Sequence, residues 1–192
     1  RRSMNLTTFV ADMSDPKDFY RLSMSLVVPR PIAWISTYNS KGEANVAPYA
    51  LFTAASTEPL IVQFSSRKPK DSYHNACERG AFVVNFAGVG DKELVAASSR
   101  EFRRDVSEAT ELGLEVIPAQ DVDAPMLAGT KAAFECRLVD THQVGGAILT
   151  FGQVTRIHVA KDVLGADGLA DVTRLAPLSK LGSSLWGSTL TL

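Results

Sequence analysis

Strand-like runs recur along this chain, and the helical stretches between them are short. Strand signals fall at Ile32–Tyr38, Glu43–Tyr49, Leu60–Phe64, Phe82–Phe86, Ala132–Leu138 and Ile148–Val159. The first two are joined by the turn Asn39-Ser40-Lys41-Gly42, which makes a hairpin. Pro48 sits inside the second arm and has no N–H to donate, so that arm should lie at a sheet edge or near a strand end. Helical signals fall at Asp15–Leu22, Asp71–Arg79, Asp91–Ser98 and Val106–Leu112, the first with Ser14 or Asp15 as cap and Pro16 in its opening turn. Mostly antiparallel strands with short helices between them predict a mainly β domain, a β-barrel or an α+β fold, and not a doubly wound sheet. Pro118–Lys131 and Gly165–Pro177 are expected to be surface connections.

A chain of 192 residues with 45% hydrophobic and 21% charged residues can bury a core without disulfides or structural metal. One domain is expected over residues 15–192, preceded by an extension over 1–14 in which Arg1-Arg2-Ser3 is a cloning remnant. The net charge of −1 argues against nucleic acid or an anionic membrane as partner. No run has the length of a membrane span, and two cysteines form neither a metal pattern nor a disulfide framework, so a reducing cytoplasm is the expected location. Cys77, mid-helix, and Cys136, mid-strand, are expected to be structural and buried.

The segment Ser65-Ser66-Arg67-Lys68-Pro69-Lys70-Asp71-Ser72 carries the chemistry. An apolar strand ends in two serines and three cations, and a helix begins at once, with Asp71 or Ser72 able to cap it and Gly80 closing it. Free N–H groups and the positive end of the helix dipole then sit beside Arg67, Lys68 and Lys70. That combination is suited to a phosphate group.

Other chemistry is missing. Gly88-Val89-Gly90 lacks the third glycine of a dinucleotide fingerprint, and there is no Walker lysine. His74, His142 and His158 are too scattered to predict a metal site, and His158 is expected at a strand edge. Nothing resembles a nucleophile elbow. The pattern favours holding a cofactor over general acid–base work.

The ordered landmarks Pro29-Arg30-Pro31-Ile32-Ala33-Trp34-Ile35-Ser36-Thr37, Gly42, Asn45-Val46-Ala47-Pro48-Tyr49, Phe52–Ser56, Glu58-Pro59-Leu60, Lys70-Asp71-Ser72 with Asn75, Gly80–Asn85, Ser98-Ser99, Glu135-Cys136 and Pro177–Gly182 resemble a known family. It is the flavin reductase-like, FMN-binding split-barrel family, of the flavoredoxin type.

The resemblance implies a six-stranded split barrel that forms a homodimer with FMN at the subunit interface. It implies that Ser65, Ser66, Arg67, Lys70, Asp71 and Ser72 hold the FMN phosphate. Backbone groups of Asn45, Val46, Ala47, Thr53, Ala54 and Ala55 would meet the polar edge of the isoalloxazine, and Trp34 and Ser36 would line the flavin or its ribityl chain. Trp186, in a tail flanked by Gly182 and Gly187 that would let it move, would border the open flavin face. The implied activity is hydride transfer from NAD(P)H to flavin, with electrons passed to a second flavin, a metal, oxygen or a partner monooxygenase. A non-enzymatic FMN electron carrier or flavin store is the alternative, and a barrel holding another small anion is a third. The chain departs from the family pattern at Ala50, at Ser183-Ser184 with Trp186, and at Val144–Leu149, which no histidine directly precedes.

Overall fold

The computed structural model describes residues 5–100, 102 and 106–191. In chain order the elements are α1 (Pro16–Leu26), β1 (Arg30–Pro31), β2 (Ala33–Tyr38), β3 (Ala44–Tyr49), β4 (Phe52–Thr57), β5 (Leu60–Ser66), α2 (Asp71–Arg79) and β6 (Ala81–Phe86). They continue with α3 (Lys92–Ser98), α4 (Glu108–Glu111), β7 (Val116–Pro118), β8 (Pro125–Leu127), β9 (Ala132–Val144), β10 (Ala147–Val159), α5 (Val172–Leu175), β11 (Leu178–Lys180) and β12 (Trp186–Ser188).

Seven strands make one antiparallel sheet in the order β3-β2-β6-β9-β10-β5-β4. Its two edge strands, β3 and β4, are consecutive in sequence, with only Ala50 and Leu51 between them. A two-residue link cannot cross a flat seven-stranded sheet, whose strands lie about 4.8 Å apart. The sheet therefore curls until the end of β3 and the start of β4 come together at a corner, with no ladder between the two edge strands. At this corner the Ser65 N–H donates to the Leu51 carbonyl at 2.9 Å, continuing the β4–β5 ladder, and the Tyr49 ring packs on Phe64. The result is the expected β-barrel with short helices.

The alternation of β2 divides the interior. Ala33 and Ile35 face into the barrel with Tyr49, Phe64, Phe82, Val84 and Cys136. Ile32 and Trp34 face the other way, into a second core with Val46, Val95, Ala109, Leu127 and Leu178. Both faces are covered, so the strand reads as a continuous apolar run. Pro48 lies on edge strand β3, where its missing N–H costs no ladder bond.

α1 is capped by Asp15, whose side chain accepts from the N–H groups of Lys17 and Asp18. α2 starts and stops where expected, with Gly80 left-handed at φ 67°. Its N-cap position falls on Lys70, which makes no side-chain cap bond, and the Ser72 hydroxyl bonds elsewhere.

Several expectations are corrected. β4 follows β3 directly, a strand the alternation of its own small residues conceals. The segment 118–131 is more than a surface loop: β7 and β8 pair within and around it, and Ala124, Met126 and Leu127 are buried. The C-terminal stretch forms strands β11 and β12, which join β1 in a second small sheet. Cys77 is exposed, whereas Cys136 is buried in the barrel, where burial pushes its thiol well above the usual range. Among the described residues, no helix is long and apolar enough to cross a membrane.

Candidate functional site

The loop between β5 and α2 projects at the barrel seam. Ser66 is buried and its hydroxyl donates to the Lys68 carbonyl at 2.9 Å, which folds the loop back on itself. The first α2 bond, from the His74 N–H to the Lys70 carbonyl, begins immediately after it. The cations Arg67, Lys68 and Lys70 are thereby presented at a helix start, as their spacing predicts.

These cations line a cleft of about 640 Å³ between the loop, the β3–β4 corner, α1 and the C-terminal segment. That volume is in the usual range for a bound cofactor, about 300–1,000 Å³. Arg21, Arg30 and Lys180 line it as well, and no Asp or Glu does. Arg67 stacks on the Tyr20 ring, 4.4 Å from its centroid, and Lys180 stacks on Trp186 at 4.1 Å. Burial, then the neighbouring Arg30 charge, lowers the Lys180 pKa.

A smaller hollow of about 230 Å³ adjoins the cleft and shares Pro48, Tyr49, Lys68 and Lys70 with it. It is lined also by Asn45, Ala47, Asp71, Ser72, Ser98, Ser99 and Glu108. Asn45 organises its floor. Its amide nitrogen donates to both Glu108 oxygens at 2.8 Å, and its oxygen accepts from Ser72 at 3.0 Å. Burial pushes the Glu108 carboxyl above the usual range, against the lowering effect of Asn45.

The wall shared by the two hollows holds a weakly engaged donor. The Tyr49 side chain is buried, and its hydroxyl makes no well-formed hydrogen bond, with only the Ser72 hydroxyl acting on it as a polar neighbour. Burial pushes its pKa up to about 12, so it is a proton donor at all physiological pH. The Arg30 Nε, on the cleft's opposite side, is buried and unpartnered. Buried donors are normally satisfied, so the weakly engaged Tyr49 hydroxyl in this wall suits a ligand that accepts hydrogen bonds.

The sequence-identified residues divide by location. Ser65, Ser66, Arg67 and Lys70 line the cleft, and Asn45, Ala47, Lys70, Asp71 and Ser72 line the smaller hollow. The side chains of Asn45 and Ser72 are engaged with each other and Glu108, so they hold the wall in shape. Val46 is fully buried in the second core. Thr53, Ala54 and Ala55 lie exposed on edge strand β4 and line neither hollow. Trp34 and Ser36 fall on the far face of β2. The Trp34 indole donates to Ser98 at 2.9 Å, and Ser36 donates to the Pro125 carbonyl and accepts from Asn85. Their large and polar side chains serve packing there. Trp186 lies under Lys180, beside the cleft. Gly182 and Gly187 permit close packing: a Cβ on Gly182 would stand 2.7 Å from the Ser25 Cβ, and one on Gly187 would stand 3.1 Å from the Ser179 hydroxyl.

Sequence reasoning missed Arg21, Arg30, Tyr49, Glu108 and Lys180 as site residues. Arg30, Tyr49 and Lys180 all sit inside landmarks quoted for the family resemblance, which was the available signal. His158 is not a free edge residue: it meets the fully buried Glu135 carboxylate at 2.7 Å, on β9. Among the described residues, no group of three or more His, Cys, Asp or Glu is placed to hold a metal.

The model of the flavin reductase like domain matches residues 24–178. The chain belongs to the flavin reductase-like family, whose members are associated with flavin-related oxidoreduction. An uncharacterised protein of Halalkalibacterium halodurans is 33% identical over 187 residues, covering 92% of this chain and 89% of that one. The crystal structure of nitrilotriacetate monooxygenase component B from Bacillus cereus superposes with TM-score 0.93 at 24% identity, covering 99% of this chain and 98% of that one. The FMN-binding protein from Thermus thermophilus superposes with TM-score 0.80 at 20% identity, covering 95% and 96%. The fold is thus the split barrel of flavin reductase-like proteins.

Proposed function

We propose that this protein binds FMN in the cationic cleft and acts as an NAD(P)H-dependent flavin oxidoreductase that passes electrons to a second acceptor. The observation that carries the reading is the cleft at the β5–α2 junction, lined by cations and by no Asp or Glu, with the Tyr49 hydroxyl in its wall. The donor set fits FMN. Arg67, Lys68 and Lys70 would hold its dianionic phosphate, with the α2 N-terminus behind them. Tyr49 would donate to an oxygen of the same ligand. The outer backbone edge of β4, with its small exposed side chains, would hydrogen-bond the polar ring edge without steric obstruction.

When bound, FMN supplies the acceptance of a hydride and its onward delivery as electrons. The chain's own residues bind, orient and shield. No side chain has to exchange a proton with substrate, consistent with a cleft whose lining titratable groups are cations and the phenols of Tyr20 and Tyr49. A monooxygenase component is a suitable acceptor class, by likeness to the Bacillus cereus protein, and a homodimer would cover the open β4 edge.

Titration of the protein with FMN and with riboflavin tests the cofactor, and FMN is expected to bind more tightly by at least tenfold. Anaerobic mixing of the loaded protein with NADH and NADPH tests the activity through bleaching of the flavin absorbance. Equal affinity for riboflavin overturns the phosphate assignment. Bleaching by neither coenzyme overturns the reductase reading in favour of an electron carrier or flavin store.

A further inference from the structure

A buried carboxylate is linked to the wall of the cleft by a chain of side chains. Glu108 opens α4, and the preceding Ser107 pins that helix to β3 by donating to the Ala44 carbonyl at 2.6 Å. Glu108 is buried there, and both of its carboxyl oxygens accept from the Asn45 amide nitrogen at 2.8 Å. Asn45 and Tyr49 both lie on β3, spaced so that they face the same side of the strand. Ser72, buried in the first turn of α2, stands between them: its hydroxyl donates to the Asn45 oxygen at 3.0 Å and acts on the Tyr49 hydroxyl.

The direction of every bond in this chain follows from the charge on Glu108. An ionised carboxylate only accepts, so it takes the Asn45 N–H and turns the amide oxygen toward Ser72. That oxygen also only accepts, so the Ser72 hydroxyl gives its proton to Asn45 and offers Tyr49 lone pairs alone. A protonated Glu108 carries an O–H donor, which opposes the Asn45 N–H and favours the amide flipped end for end. Asn45 would then donate to Ser72, and Ser72 would donate to the Tyr49 oxygen. The Tyr49 proton would be left for an acceptor in the cleft. The other contact of the Asn45 oxygen, with the Thr37 hydroxyl, is 3.4 Å long and does little to fix the amide.

The charged groups facing Glu108 come from several elements. Asp71 of α2 and Tyr49 of β3 line the smaller hollow with it, and so do Lys68, Lys70 and Arg100. Lys41, His74 and Glu78 line a further polar hollow that also reaches it. Burial is the largest influence on the carboxyl and raises its pKa, the Asn45 bond lowers it, and the Asp71 charge raises it, for a net rise. We infer that Glu108 is a positioning residue for the cleft: its protonation reverses the Asn45–Ser72 chain and releases the Tyr49 hydroxyl proton to a bound anion. The inference rests on the FMN reading for the identity of that anion and adds a pH-dependent control to the same site. Two effects share one sign. Protonation removes a negative charge beside the cations, and it frees a donor, so the neutral form binds an anion more tightly. Reciprocally, anion binding draws a proton onto Glu108.

Glu108→Gln fixes the neutral form, and FMN affinity is measured for it and for wild type at pH 8 and pH 5. The phosphate titrates alike in both proteins, so the ratio of their affinities isolates Glu108. At pH 8 the variant is expected to bind about fivefold more tightly, the effect of one hydrogen bond gained, and at pH 5 the advantage should shrink. In a Tyr49→Phe background at high salt, where the direct effect of the charge is screened, the advantage of Glu108→Gln should vanish. An advantage that persists in that background overturns the inference. So does a ratio that is the same at both pH values, or a variant that binds more weakly than wild type at pH 8. A ligand-free measurement separates this outcome from the FMN reading. The Asn45 side-chain amide nitrogen resonance is followed by NMR from pH 8 to pH 5 in unloaded wild type and Glu108→Gln. A shift in wild type that the variant lacks supports the inference, and a resonance that behaves alike in both overturns it. If the protein takes up no flavin, the FMN reading fails alone, and this titration still decides whether Glu108 sets the Asn45 amide.

Discussion

The ring of Tyr49 packs on Phe64 with centroids 4.6 Å apart, while the Tyr49 hydroxyl stands between the two hollows with no well-formed hydrogen bond and only Ser72 acting on it. The ring belongs to the barrel core, and the hydroxyl belongs to the site. Tyr49→Phe separates these roles. Without ligand, removing a buried hydroxyl so weakly engaged should change stability by no more than about 1 kcal/mol. With FMN, the lost donor should weaken binding by about 1 kcal/mol or more. Thermal unfolding with and without FMN reads both effects. A variant that is less stable without ligand but unchanged in FMN affinity would show that the hydroxyl serves the core.

Lys70 is exposed and lines both hollows, so its contribution depends on solvent screening. Lys70→Ala should weaken FMN binding by about 1–2 kcal/mol at low salt, with the difference shrinking as ionic strength rises. Fluorescence titration at two salt concentrations measures it. No change at low salt would place the ammonium away from the phosphate.

Much of the barrel was legible because strand length and apolar content are local properties. All six strand runs and the helix over residues 71–79 stand where the sequence puts them. β4 was not legible as a strand, because Thr53-Ala54-Ala55-Ser56 is small and exposed and takes its place from the seam with β5. The loop cations were legible through their density beside a helix start. The opposite wall was not, since Arg21, Arg30 and Lys180 lie up to about 160 positions apart and only the tertiary fold gathers them. Trp34 shows the converse limit: its strand has two buried faces, and alternation alone does not say which one meets a ligand.

Glu135 gives a second test, away from the cleft. Its carboxylate is fully buried and accepts from the N–H groups of Gln120 at 2.9 Å and Asp121 at 2.6 Å, and from His158. Burial alone would raise its pKa, but these donors outweigh it and hold the carboxyl below its usual 4.5. A carboxyl with a depressed folded pKa stabilises the protein above its unfolded pKa, and that stability is lost as pH falls through the folded value. Arg156, paired with Asp121 at 2.6 Å, and Arg137 share this surface. Stability should therefore fall below about pH 4.5 in wild type. Glu135→Gln should be less stable at neutral pH by about 2–3 kcal/mol and show a shallower acid loss. Chemical unfolding at pH 7 and pH 4 checks both, and parallel curves would dismiss the clasp.

Gly152 lies on β10, where the ladder with β9 slips by a residue. A Cβ there would stand 2.3 Å from the Phe82 Cζ and 2.9 Å from the Cys136 Cβ. Phe82 is fully buried and packed edge-on against Phe64, so it has no vacant direction. Gly152→Ala should cost about 1–3 kcal/mol by overpacking the barrel, read as a lowered denaturant midpoint with unchanged slope. An unaffected midpoint would mean that the Phe82 ring moves aside freely.

The outer edge of β4 bears on assembly. β4 pairs on one side only, with β5, and Thr53, Ala54 and Ala55 are exposed along it. An edge of small uncharged residues lacks the lysines and prolines that usually keep sheet edges from pairing, and natural proteins cover such edges. A second copy of the chain is the proposed cover, which would set β4 of each subunit beside the other's cleft. The expected state in light scattering is a dimer at micromolar concentration. Ala54→Lys puts a charge where the partner backbone would approach, so it should shift the equilibrium toward monomer and weaken FMN binding at the same time. A dimer that persists in Ala54→Lys with unchanged FMN affinity would place the interface elsewhere, and a wild-type monomer that binds FMN fully would remove the second copy from the site.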